Sequence, residues 1–229
     1  AWAKKNTAGL IEQSGIAVDH NTALVVQDAL LFASRWETQF KSDDDPLAFT
    51  TGSGETVEVK ALSDSFFVRV ASGQGWQAVR LPYDENLAMD VILPDQGIHP
   101  LTWDARVLQE THEKLSAATE GRVDVTMPPA DLAAKRNLKE EFTRLGVDLE
   151  HLDGIFDGAG ANQAVQQVRL QVNAKGTVGA ALTEVEIPVS APVDPPTALV
   201  VDHPYVMRVL DVRKGWPLFL AVVSDPGAK

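Results

Sequence analysis

The 229-residue chain has no cysteine, which excludes disulfides, thiolate catalysis and Cys-based metal sites and leaves the redox compartment open. No apolar run approaches the roughly 18 residues of a membrane span, so no membrane partner is expected. Positive charge is scarce: 20 Lys and Arg against 32 Asp and Glu give a net charge of −12. Nucleic acid is excluded as a partner, because phosphate binding needs clustered cations that release counterions. The histidines His20, His99, His112, His151 and His203 form no HExxH pair and no i, i+4 pair, so no metal site is expected. There is no phosphate-cradling glycine motif, since Gly52-Ser53-Gly54 is short and has no following Lys. Asp43-Asp44-Asp45 lacks the Gly and terminal Glu of a calcium loop and reads as a solvated turn. Asp202-His203 could belong to a hydrolase triad, but no G-x-S-x-G elbow supplies the nucleophile. The plainer reading is a turn Asp and a buried, satisfied His before Pro204. Neither a catalytic residue nor a cofactor is expected, and the chain does not read as an enzyme.

Apolar residues make up 45% of the chain and charged residues 23%, ordinary for a soluble globular protein. Strand-like runs dominate: Thr22–Phe32, Glu55–Leu62, Phe66–Val70, Trp76–Leu81, Leu87–Leu93, Val123–Met127, Val165–Val172, Tyr205–Asp211 and Leu218–Ser224. Two helices are predicted. Leu101–Ala118 places Leu101, Ala105, Leu108 and Leu115 near one face, and Asn137–Leu145 has a capping Asn137 with Glu140 three residues on and Gly146 at its end. Gly52–Gly54 and Gly73–Gly75 read as hairpin turns. With no linker-like shift, a single α+β unit over residues 1–229, with mixed β-sheets and a few helices, is the expected fold. The chain opens on Ala1-Trp2-Ala3, without Met or a signal-peptide pattern, and is expected to begin inside a longer protein.

The stretch Lys175–Pro196 departs from ordinary loop patterning. At a period of two, one face carries Thr177, Gly179, Ala181, Thr183, Val185 and Ile187, all uncharged. The other carries Val178, Ala180, Leu182, Glu184 and Glu186. A loop that stays a loop has no reason to sort its charges this way. A loop that at some point becomes a half-buried strand does.

Several further segments resemble the serpin family in collinear order. Trp2-Ala3-Lys4-Lys5-Asn6-Thr7 is similar to the end of the family's helix F, and Leu24 to Phe40 resembles its strand 3A signature. Leu81-Pro82-Tyr83 and Met89 to Pro94 resemble its LPY and SM-x-x-x-LP blocks, and Leu138 to Gly146 with Ile155-Phe156 its L-x-x-x-L-x-x-LG…F segment. Asn173 to Thr177 looks like the hinge of its reactive loop, and Asp202-His203-Pro204-Tyr205 and Pro217-Leu218-Phe219 like its closing motifs. The resemblance covers the chain as the C-terminal portion of a serpin, from the end of helix F onward, with the N-terminal helical half absent and apolar sheet surface left exposed.

The resemblance implies a secreted, extracellular inhibitor and a serine protease as partner, held in a covalent acyl complex. It implies an exposed reactive loop at about 175–196, a hinge at Gly176, Thr177, Gly179, Ala180 and Ala181, and a reactive bond at Ser190–Ala191. Loop cleavage would be followed by insertion of the loop as a strand of the central sheet. Trp36, Asp28 and Gln166 fall at breach and shutter positions, where Asp28 and Gln166 depart from the family's usual Asn and His. Ala174, Val178 and Leu182 also depart from its hinge pattern. No Lys or Arg lies between Lys175 and Arg208, so the expected target is elastase-like or subtilisin-like rather than trypsin-like. The alternative is a non-inhibitory relative serving as a binding, carrier or chaperone-like protein. Such relatives carry bulky or charged residues on the inward hinge face, and this chain does not.

Overall fold

Runs alternating at a period of two recur along this chain, and strands outweigh helices among its regular elements. The computed structural model describes residues 2–20, 22, 25, 32–177 and 197–227. In chain order the elements are α1 (Trp2–Asn6), β1 (Ser34–Arg35), β2 (Lys41–Thr50), β3 (Thr56–Gly73), β4 (Trp76–Pro82), β5 (Leu87–Pro94), α2 (Ala105–Ala117), β6 (Glu120–Met127), β7 (Ala130–Asn137), α3 (Lys139–Arg144), β8 (Val165–Asn173), β9 (Gly176–Thr177), β10 (Thr197–Val200), β11 (Tyr205–Asp211) and β12 (Trp216–Val223). Mixed sheets with few helices match the expected α+β class. Contacts cluster into two compact units: Ala1–Phe32 with Asp131–Leu170, and Ala33–Ala130 with Gln171–Ala228. The expected strand Thr22–Phe32 lies largely outside the described residues.

In the first unit, β7 and β8 are neighbours in a sheet, and Arg169 of β8 grips Asp131 of β7 with both ends of its guanidinium, at 3.0 and 2.8 Å. The predicted helix Asn137–Leu145 is α3. Asn137 Oδ1 accepts the Lys139 amide at 3.1 Å, and Gly146 takes φ +78° just past the helix end, where its amide donates to Thr143 O.

The second unit holds a sheet of order β10-β6-β3-β4-β5-β11-β12, with β2 paired to β3. Gly52–Gly54 and Gly73–Gly75 make the β2–β3 and β3–β4 turns, as their composition predicts. The two strands expected over Glu55–Leu62 and Phe66–Val70 are one 18-residue strand, β3, because Ser63 and Asp64 stay in the ladder against Thr126 and Val125. Asp43-Asp44-Asp45 is not the expected turn. It lies within β2, where the register against β3 shifts between Asp43 and Pro46; a bulge admits an acidic run and a proline that a regular ladder would not.

Helix α2 starts at Ala105 rather than Leu101, because Asp104 Oδ1 caps the Arg106 amide at 2.9 Å and Pro100–Thr102 forms a separate 3₁₀ turn. Its Leu115 joins Trp76, Ala78, Ile92 and Val206 in the core over β4, β5 and β11. On β12, alternate residues Trp216, Leu218 and Leu220 are exposed.

The same α2-covered layer contains a row of charge. Arg80 on β4 pairs across to Asp90 on β5, and Asp90 pairs across to Arg208 on β11. Asp90 is fully buried; it accepts from Arg80 Nε and Nη2 at 2.7 and 3.0 Å and from Arg208 Nη2 and Nε at 2.6 and 3.0 Å. Arg208 also donates to Leu108 O of α2 at 2.6 Å, and Arg80 to Ser116 Oγ at 3.2 Å. His112 of α2 lies 3.4 Å from Arg80; burial first, then the Arg80 and Arg208 charges, hold its pKa below the ordinary imidazole value. One carboxylate thus pairs with two arginines, and the trio ties three strands to a helix. Asp90→Asn should therefore lower stability by about 3–5 kcal/mol, since it strands two buried guanidinium groups. Chemical denaturation checks this, and a midpoint equal to wild type would contradict it.

Candidate functional site

Of the hinge residues singled out in the sequence, Gly176 and Thr177 lie at one end of the four-stranded sheet of order β1-β9-β8-β7. Strand β9 is only Gly176–Thr177, antiparallel on one side to Ser34–Arg35 of β1 and on the other to Val172–Asn173 of β8. The hairpin between β8 and β9 is closed by Asn173 Oδ1, which accepts the Lys175 amide at 2.9 Å. Turning back in so few residues presses Gly176 against β1. Its φ is +142°, and a Cβ there would collide with the Ser34 carbonyl and lie 2.7 Å from Arg35 Cα. Only glycine fits this approach.

Thr177 is fully buried, and its hydroxyl lies 2.7 Å from that of Tyr83. Burial pushes the Tyr83 hydroxyl well above the ordinary phenol range, with the Thr177 hydrogen bond pulling the other way, so Tyr83 keeps its proton at physiological pH. Trp36 stacks on the Tyr83 ring, with centroids 4.2 Å apart and planes 9° from parallel. Its indole Nε1–H donates to Asn173 O at 2.9 Å and its backbone amide to Lys175 O at 3.3 Å. Phe40 meets Trp36 edge-on at 5.8 Å and donates its amide to Ala174 O at 2.9 Å. Trp36 and Phe40 therefore hold the hairpin from the side, and Tyr83 meets its first inserted side chain.

Of the other residues singled out, Gln166 is exposed near the start of β8, toward the far end of that strand from Asn173. Seven residues of extended chain separate Gln166 from Asn173, about 23 Å. Asp28, Gly179, Ala180, Ala181, Ser190 and Ala191 lie outside the described residues. Tyr83 stands in the sequence only within the Leu81-Pro82-Tyr83 motif, just past the end of β4, and no local pattern marks it for a role. Asn173 was likewise read only as part of the hinge.

The hydrolase reading finds no support. His203 Nδ1 meets Asp202 Oδ1 at 2.6 Å, but Nε2, the nitrogen a general base would turn toward a nucleophile, faces Pro94 O at 2.8 Å. His99 lies 3.4 Å from Ser224 Oγ through Nε2, while its Nδ1 accepts the Leu101 amide. That tautomer carries its proton toward the serine and cannot take one from it. Among the described residues no group of three or more acidic or histidine side chains could hold a metal ion, and no helix is long and apolar enough to cross a membrane.

The family model described as Serpin (serine protease inhibitor) matches residues 1–226. Among curated proteins the chain is 26% identical over 234 residues to an uncharacterized serpin-like protein of Thermococcus kodakarensis, covering 98% of this chain and 55% of that protein. It is 29% identical over 248 residues to the leukocyte elastase inhibitor of Bos taurus, covering 99% of this chain and 65% of that protein. Among solved structures it superposes on a thyroxine-binding globulin complex with thyroxine (TM-score 0.78, 18% identity, 98% of this chain and 62% of that one). It also superposes on the native state of the thermophilic serpin Tengpin (TM-score 0.77, 17% identity, 98% of this chain and 61% of that one). The chain thus spans between about half and two thirds of the length of these relatives.

Gly176→Ala should expel β9 from between β1 and β8, at a cost of about 1–3 kcal/mol. Faster amide exchange at Trp36 and Phe40, whose partners are the hairpin carbonyls, is the expected readout. Unchanged protection there would contradict the fit of glycine to this turn.

Proposed function

The chain belongs to the serpin family, and we propose that it serves a serine-protease inhibitor of the suicide-substrate kind. Its partner is a serine protease met outside the cell. The protease serine oxygen adds to the Ser190 carbonyl carbon and the Ser190–Ala191 C–N bond breaks. The serine proton passes to the Ala191 nitrogen, and an ester joins the protease to Ser190. The freed loop then enters the sheet between β1 and β8 before water reaches that ester, and the protease is trapped kinetically.

The observation that carries this reading is Thr177, buried to zero exposure as a strand residue between β1 and β8. The register supports it further. Thr177 stands opposite Val172, and continuing the same pairing sets Gly179 opposite Leu170 and Ala181 opposite Val168. Leu170 and Val172 are each 2% exposed, so β8 turns its buried face toward the uncharged face of the loop. Val178, Ala180 and Leu182 fall on the other face, opposite Gln171, Arg169 and Gln167. Residues that depart from the family's hinge pattern thus avoid the side where bulk would obstruct entry.

A loop without Lys or Arg, with Val189, Ser190 and Ala191 around the reactive bond, suits a protease with a small or apolar specificity pocket. That the Bos taurus relative is named for leukocyte elastase agrees with this target class. A binding or carrier role is the second reading the family allows, but a small, uncharged inward hinge face argues for insertion.

Mixed with an elastase-like or subtilisin-like protease, the protein should form a complex that survives a denaturing gel. Cleavage with no such complex across a protease panel sinks the proposal and leaves the carrier reading. Thr177→Arg should turn inhibitor into substrate, lowering complex yield on the order of a hundredfold because a charge enters a site with no exposure. Unaltered inhibition would refute the assignment of the buried face.

A further inference from the structure

We infer that the Tyr83 hydroxyl is the positioning group that seats the loop's first inserting residue and fixes the register of everything that follows it. Nothing in loop insertion as such requires a hydroxyl at position 177; a small apolar side chain would fill a zero-exposure site without needing a partner. Thr177 brings a polar atom into that site, and a buried hydroxyl left without a partner is costly. Tyr83 supplies the partner at 2.7 Å, on a ring itself only 3% exposed. The phenol is aimed rather than free to search. Its ring is stacked on Trp36, which is pinned by hydrogen bonds to Asn173 O and Lys175 O. Its amide donates to Leu87 O at 2.9 Å, fixing the backbone beside the β4–β5 turn.

This geometry discriminates between registers. A slip of one residue would turn the side chain at the Tyr83 position to the other face of the sheet. A slip of two would present Gly179, which has no hydroxyl to offer, and would leave the buried phenol without this partner. Correct entry is the arrangement in which both hydroxyls are paired. The same pair also holds Thr177 in the sheet while residues 174–177 form the hairpin, so Tyr83 biases where the loop begins as well as how it enters. Its role is to position the chain. It touches no reacting bond.

The inference rests on the inhibitory reading for its consequence, but the pairing can be tested without a protease. A double-mutant cycle of Tyr83→Phe and Thr177→Val removes the hydroxyls singly and together. In the free protein each single variant should shift the β9-in to β9-out equilibrium by about tenfold, equivalent to about 1.4 kcal/mol. Amide exchange at Trp36 and Phe40 and the fluorescence change tied to the Trp36 stack would report it. The double variant should recover most of that shift, because the two hydroxyls are removed together. Thr177→Ser, which keeps the hydroxyl, should behave as wild type. With a protease that wild type traps, the single variants should give more cleaved inhibitor per complex, and the double variant should return toward wild type. Single effects that simply add in the double variant would overturn the inference, because a merely structural Tyr83 is not rescued by a change at Thr177. Wild type that traps no protease would sink the inhibitory reading and leave the cycle to be judged on the free protein alone.

Discussion

The stack of Trp36 on Tyr83 is the contact on which the hinge depends. Trp36 follows directly on β1, Tyr83 follows directly on β4, and a bridge pairs the two residues outside their strands. Burying both rings excludes water from the β8–β9 hairpin, so the indole bond to Asn173 O and the phenol bond to Thr177 form where competition from solvent is least. The tight turn at Gly176, the burial of Thr177 and the reach of the Phe40 amide to Ala174 O are all set by that aromatic pair. Alter the stack and the hinge has no defined seat.

A second fixed point lies deeper in the larger sheet. Asp90 sits between two arginines on neighbouring strands, and the helix covering them answers the leftover donors with a backbone carbonyl and a serine hydroxyl. Such a row is a poor way to gain stability, since apolar residues of equal volume commonly do as well. It is a good way to forbid a slip, because moving β5 by one residue would bury two guanidinium groups with no anion between them. The rigid part of the molecule and the hinge thus share a logic: each register is enforced by the penalty of leaving a buried polar group alone.

Much of this was readable from residue order, and the pattern of what was not is physical. Apolar strands with a turn residue just before them, such as Tyr205–Asp211 after Pro204 and Trp76–Pro82 after Gly75, come out within a residue of expectation. The helix expected from Leu101 starts at Ala105 because Leu101 fits the helical face of Ala105, Leu108 and Leu115, a pattern that a local cap at Asp104 overrules. The acidic run Asp43–Asp45 looked like a turn because nothing in its composition announces a bulge, which is a property of the pair of strands. The uncharged face of the loop was legible in full, since it is a one-dimensional pattern. The hydroxyl pair was not: Tyr83 and Thr177 are 94 residues apart in sequence, and no local rule connects them.

The antiparallel sense of β9 has a mechanical meaning. The chain reverses at Gly176, so each further residue that entered beside β8 would carry the remainder of the loop about 3.3 Å toward the Val165 end of that strand. Pairing as far as Glu184 would be a traverse of about 23 Å. A molecule tethered near Ser190 would be hauled along the sheet by a zipper whose first tooth is already engaged, with the pull borne in shear by two flanking strands. Shear loads many backbone hydrogen bonds together, whereas peeling loads them one at a time. On the proposed insertion, the hairpin at Asn173–Gly176 would be the anchor of a small winch, and its stiffness would decide whether tension reached the cargo or was lost in the turn.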